Sequence, residues 1–204
     1  MTPLGTLIFS VIGALFVAVV GAAIWWGMRS ASVMAETLQR DGWTIERPQR
    51  GATQWIARRV KAGVAVSVEV TATGVQEKTV WTRVRMAADT GADDVLVERK
   101  MPGFLAADGA VAAAFGFKPP PRWDRGSPAF AADYNAYAAS EGAAARWLSP
   151  ANQSAIVDYN HTAPRKVSVR FFEDALEARW AQEPQDAAQI EGVVALLDRL
   201  RRSH

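Results

Sequence analysis

The run Val64-Ala65-Val66-Ser67-Val68-Glu69-Val70 decides the fold. Valine at every second position, with Ala, Ser and Glu between, repeats with the period of a strand and gives it one apolar and one wet face. A strand of this kind needs partners, and the flanking sequence supplies them. Downstream, Thr71–Lys78 with Gly74 reads as a turn, and Thr79–Met86 as a second strand with Val80, Val84 and Met86 inward and Trp81, Arg83 and Arg85 outward. Thr82 is the polar member of its buried set. Asp89–Asp94 around Gly91 is another turn, and Val95–Arg99 then reads as a third strand of the same meander. Upstream, Thr53–Val60 is a strand, and Trp43 and Ile45 begin a short extended segment.

The second half repeats the theme. Phe130, Tyr134 and Tyr137 suggest a short strand. Ser140 followed by Glu141 opens a helix through Leu148, and Ser149-Pro150 opens the next, with Ser at the N-cap and Pro in the first turn. Tyr159–Pro164 reads as a loop. Lys166–Phe172 and Ala175–Ala181 form a hairpin about Glu173-Asp174, setting Val167, Val169 and Phe171 against Leu176, Ala178 and Trp180. Gln185–Arg202 is an amphipathic helix with Ile190, Val193, Val194, Leu197 and Leu200 on one stripe. Strand runs beside separate helices imply an α+β fold, antiparallel strands packed with helices, in two similar-sized halves.

At the N-terminus, Leu4–Met28 is 25 residues without an Asp, Glu, Lys or Arg. At ~1.5 Å per residue such a helix reaches roughly 37 Å, enough for a bilayer core of ~30 Å. No basic residue precedes it, and bulky Ile24-Trp25-Trp26 stands where a cleavage site would lie, so it reads as one transmembrane helix kept as an anchor. Arg29, Arg40, Arg47 and Arg50 follow the span, which by the positive-inside bias places the rest in the cytoplasm of a bacterial inner-membrane, single-pass protein. Ser10, Ala14, Ala18 and Ala22 form a small-residue face suited to self-association as a homo-oligomer. The divisions are therefore 1–28, the anchor; 29–100, a membrane-proximal helix ending at Asp41-Gly42 plus the strand meander; 101–129, a Gly/Pro-rich connector; and 130–204, helix, hairpin and closing helix.

Composition excludes much. There is no cysteine and there are two histidines, so disulfides, thiolate metal sites and multi-histidine centres are absent from the repertoire of one chain. A net charge of +2, with acids and bases interleaved, gives no nucleic-acid footprint. The excess of Arg over Lys, with abundant Ala, fits a GC-rich bacterial genome.

No motif names a reaction. His161, in Asp158-Tyr159-Asn160-His161, is the sole histidine with acidic and hydroxyl neighbours, and Asp89, Asp93 and Asp94 are the nearest approach to a metal set. Both patterns fit capping and turn geometry better. No phosphate-binding glycine loop, nucleophile elbow or zinc helix occurs, so neither cofactor nor metal is expected. Pro119-Pro120-Pro121 with Arg122-Trp123 reads as a polyproline II connector that could also be recognised, and Trp81 and Trp123 are the tryptophans expected to be exposed.

Residues 125–202 carry an aromatic strand, Ala144-Ala145-Arg146-Trp147-Leu148-Ser149-Pro150, a short helix, the Val167–Glu177 hairpin and a closing helix. This layout resembles uncharacterised bacterial single-span membrane-anchored α+β domain proteins, and the resemblance implies that architecture and a bacterial origin, with no activity to carry over. The expected function is that of a membrane-anchored, non-catalytic protein whose soluble domain binds a protein partner as scaffold, adaptor or assembly factor. The alternatives are a lipid- or small-ligand-binding module and, further off, a hydrolase or metal enzyme using His161.

Overall fold

The computed structural model describes residues 19, 33–48, 53–73, 79–91, 93–100 and 118–203. The span Leu4–Met28, apart from helical Val19, lies outside them, as do the small-residue face Ser10, Ala14, Ala18 and Ala22 and residues 101–117 of the connector. Among the described residues no helix is long and apolar enough to cross a membrane. The fold is α+β, with a nine-stranded antiparallel sheet.

The chain divides into two compact units, Met1–Gly42 and Trp43–His204. In the first, helix α1 (33–40) ends where the sequence places its stop. The Asp41 N–H donates to Thr37 O at 3.0 Å and the Gly42 N–H to Gln39 O at 3.1 Å. Gly42 stands at φ +83°, a conformation that costs a residue with a Cβ and glycine nothing.

The second unit holds β1 (Thr44–Glu46), β2 (Thr53–Lys61), β3 (Val64–Thr73), β4 (Thr79–Ala87), β5 (Val95–Arg99), β6 (Arg122–Trp123), α2 (Pro128–Asp133), β7 (Tyr134–Ala138), α3 (Glu141–Trp147), α4 (Pro150–Thr162), β8 (Ser168–Phe172), β9 (Ala175–Ala181) and α5 (Ala187–Arg202). The sheet order is β1-β2-β3-β4-β9-β8-β5-β7-β6. The expectation that Val95–Arg99 extends the first meander is corrected here. β5 pairs with β7 and β8, and the C-terminal hairpin β8–β9 sits between β4 and β5. Strands from both sides of the connector thus share one sheet and one core.

One lateral row shows how that core is built. Ile45, Ala57, Val68, Val84, Ala178, Val169, Val97, Ala136 and Trp123 lie side by side across all nine strands. From Ala57 to Ala136 the row is buried. The helices of this unit gather on this side. Trp147 of α3 meets Phe171 at 4.9 Å between ring centroids, and α5 lies against β4 and β9 with Ile190, Val193, Val194, Leu197 and Leu200 buried. Each such aliphatic side chain removed from water contributes ~1.5–3 kcal/mol.

The helix starts follow from short polar signals. Ser127, Ser140, Ser149 and Asp186 cap α2, α3, α4 and α5, each side chain accepting a hydrogen bond from the backbone N–H three residues on. Two expectations change. Phe130 lies in α2 and not in a strand, with the strand beginning at Tyr134, and α4 continues through Tyr159 to Thr162.

Candidate functional site

The face of the sheet turned from the helices carries the charge. Its central row reads Thr44, Arg58, Ser67, Arg85, Glu177, Arg170, Leu96, Tyr137, Arg122. Alternation along each strand makes this inevitable: a Val-x-Val strand with its valines in the core sends every x outward. Arg83 and Arg179 pair in the next row, beside Glu69 and Ser168.

Glu177 is the hub. It is 1 % exposed, and its carboxylate takes Arg179, two residues along the strand, and Arg83 Nε at 3.5 Å from β4. Arg83 reaches on to Glu69 at 3.5 Å, which accepts from Thr53 Oγ1 at 2.9 Å. Burial lowers the Arg179 pKa from its ordinary value; Glu177 opposes that shift, and the nearby positive charges of Arg83 and Arg170 add to it. Arg170 forks onto Asp94 with two bonds of 3.0 Å. Arg85 meets Glu173 at 3.4 Å and Asp174 at 3.2 Å. The Phe172 ring takes the guanidinium of Arg170 at 4.4 Å and that of Arg85 at 5.1 Å. The surface is a lattice of arginines locked by carboxylates around an aromatic ring, with Arg83 and Arg85 themselves about two-fifths exposed.

The residues singled out from sequence fall apart in space. Trp81 lies half-buried on the charged face, opposite Thr71 and Ala181. Trp123 stands at the far edge in the core-facing row, so the two tryptophans belong to opposite faces. Pro119 and Pro120 are half-buried and Pro121 is exposed. Pro121 O accepts the Ala138 N–H at 2.9 Å, which ties the proline run to β7 and leads into the edge strand β6. Sequence reasoning put Arg83 and Arg85 outward but did not bring Arg170, Phe172, Glu177 and Arg179 to them; strand alternation in the hairpin was the available signal.

His161 is exposed at the end of α4, 3.4 Å from Asp133 Oδ2. Its sequence neighbour Asp158 instead accepts from Ser154 at 3.1 Å. Burial pushes the Tyr159 hydroxyl up to about 12, so it holds its proton at neutral pH. Asp93 accepts from Trp147 Nε1 at 3.0 Å and Asp94 holds Arg170. Among the described residues no group of three His, Cys, Asp or Glu could hold a metal ion.

Compared with protein-family models, curated proteins and solved structures, the chain matches none.

Proposed function

We propose that the chain is a single-pass, membrane-anchored, non-catalytic protein of the bacterial inner membrane whose α+β domain docks a protein partner on the charged face of its sheet. The observation that carries this reading is the set Trp81, Arg83, Arg85, Arg170 and Phe172 on the side of the sheet opposite α2–α5. Arginine and large aromatics are the side chains most enriched at the centres of protein interfaces. Held in place by Glu69, Glu177, Asp94 and the Glu173-Asp174 turn, these arginines lose little freedom on docking, which favours affinity. The uncharged run Leu4–Met28 supports the anchor, and the basic residues after it support a cytoplasmic domain. A ligand held between sheet and helices, the alternative reading, would need room in the layer that Trp147, Phe171, Ile156 and Leu197 occupy.

The test is site-specific photocrosslinking in intact membranes, with the photoreactive residue placed at 81, 85 or 172 and, as controls, at exposed Ala188 and Ala195 of α5. Adducts with one protein from the sheet positions and none from α5 are the expected result. Adducts from α5 alone, or from no position, would overturn it.

A further inference from the structure

On the charged face Arg58, Arg83, Arg85, Arg170 and Arg179 each meet a carboxylate. One group of four other cations does not. Arg99, Lys100, Arg165 and Lys166 have no ion-pair partner among the described residues, and they lie together. Arg99 ends β5 opposite Tyr134. Lys100 follows it, its N–H bonded to Asp133 O at 2.8 Å and its ammonium to Ala131 O. Arg165 and Lys166 stand on the link from α4 to β8, fixed by Asn160, which is buried and bonds both the N–H (2.7 Å) and the C=O (3.3 Å) of Val167. Asn160 also lies beside Tyr134, the residue opposite Arg99, so both pairs of cations meet at one corner. Arg99, Lys100 and Lys166 are exposed, and Arg165 Nε is buried with no hydrogen-bond partner among the described residues.

We infer that this corner is a second recognition site, distinct from the charged face, and that it takes an acidic segment of a protein. Four cations with no ion-pair partner among the described residues, held close together by the backbone, attract carboxylates over a Debye length of ~8 Å. Asp133 and the exposed His161 sit among them, which breaks the continuous basic track that a phosphodiester chain requires.

The experiment titrates a fluorescein-labelled polyglutamate peptide of about 12 residues against the full chain in nanodiscs of zwitterionic lipid, followed by anisotropy at low and physiological salt. The expected result is salt-sensitive binding that K100E/K166E weakens by about tenfold and K100Q/K166Q by about threefold, while R199E, at an exposed cation of α5, leaves it unchanged. Circular dichroism and the unfolding midpoint of each variant show that the fold is retained. No binding at low salt, or an equal loss with R199E, would overturn the inference. So would tighter binding of phosphatidylglycerol vesicles or of a single-stranded oligonucleotide, lost in K100E/K166E. Crosslinks from positions 81, 85 and 172 are read on another face, so this site can fail while the docking face stands, and the reverse.

Discussion

Arg59, on the second strand, reaches Glu191, on the last helix, at 2.6 Å across 132 residues of chain. Trp43 Nε1 donates to the other carboxylate oxygen at 3.2 Å, Lys61 stands at 3.5 Å, and the Arg59 guanidinium stacks 4.3 Å over the Trp43 ring. One carboxylate therefore ties the first residue of the second unit and the end of β2 to α5. Removing it leaves an Arg59 side chain that is only 10 % exposed without its partner. Glu191→Ala is expected to cost about 2–3 kcal/mol and Glu191→Gln about 1 kcal/mol, by urea denaturation.

The same carboxyl sets a pH dependence. Burial alone pushes it up, but hydrogen bonds from Arg59 and Trp43, with the charges of Arg59 and Lys61, outweigh burial and leave it below the ordinary value of 4.5. The unfolded chain then takes up the proton first as pH falls. The stabilisation is present above about pH 4.5 and is lost as pH drops through the folded value. The stability gap between the parent and Glu191→Gln should narrow below that point; a gap constant from pH 7 to 3 would contradict it.

The Glu177 hub makes the opposite kind of prediction. A buried carboxylate serving Arg179 and Arg83 is destabilising to break and cheap to replace. Glu177→Ala should lose about 3–5 kcal/mol, whereas Glu177→Leu with Arg179→Leu should recover most of it, since two apolar side chains need no partners. A double-mutant cycle in guanidinium checks the coupling. If the double variant is as unstable as the single one, the hub does more than satisfy its own charges.

Much of this fold is written locally. Strict valine alternation marked β3, the Thr79–Met86 pattern marked β4 with Thr82 in its buried set, and a two-residue polar break marked the Glu173-Asp174 turn. Alternation says which way side chains point but is silent on which strand lies alongside. The insertion of β8–β9 between β4 and β5 follows from long-range packing, and Val95–Arg99 looks the same whichever neighbour it has. Glu177, turned from the core by alternation in the hairpin, is nonetheless buried, with Arg83 from a distant strand and Arg179 on its carboxylate. Ser127 caps α2 with Pro128 in its first turn, a local signal that a reading of the Phe130, Tyr134 and Tyr137 spacing as a strand passes over. Of the candidate face, the outward turn of Trp81, Arg83 and Arg85 was legible; its completion by Arg170 and Phe172 was not.

Asn160 illustrates a polar residue that sequence patterns misplace. Set where a loop was expected, it is 1 % exposed in the last turns of α4 and satisfies both backbone groups of Val167. Asn160→Ala leaves two buried backbone groups unpaired and should cost about 2–4 kcal/mol. Asn160→Asp keeps the acceptor for the Val167 N–H but turns a carboxylate toward its C=O, and should recover only part of the loss. Thermal denaturation of the two variants ranks them, and amide exchange at Val167 shows whether the joint has opened.

Gly126 is a position where a single methyl group has nowhere to go. A Cβ there would stand 2.8 Å from Phe130 Cδ1 and 3.7 Å from Gln153 Oε1. Neither neighbour can yield freely. Phe130 is 1 % exposed and stacked on Tyr134 at 5.2 Å, and Gln153 Oε1 already accepts the Ser127 N–H at 2.8 Å, just before α2 begins. Gly126→Ala should therefore lose about 1–3 kcal/mol by overpacking, although the backbone at this glycine needs no unusual conformation. Phe130→Leu alone should cost about 1–2 kcal/mol as a core cavity. Because the smaller ring-free side chain vacates the space that the new methyl group enters, the double variant should be no less stable than Phe130→Leu alone, by chemical denaturation. Additive losses would place the strain of Gly126→Ala in the Ser127 cap and not in the ring.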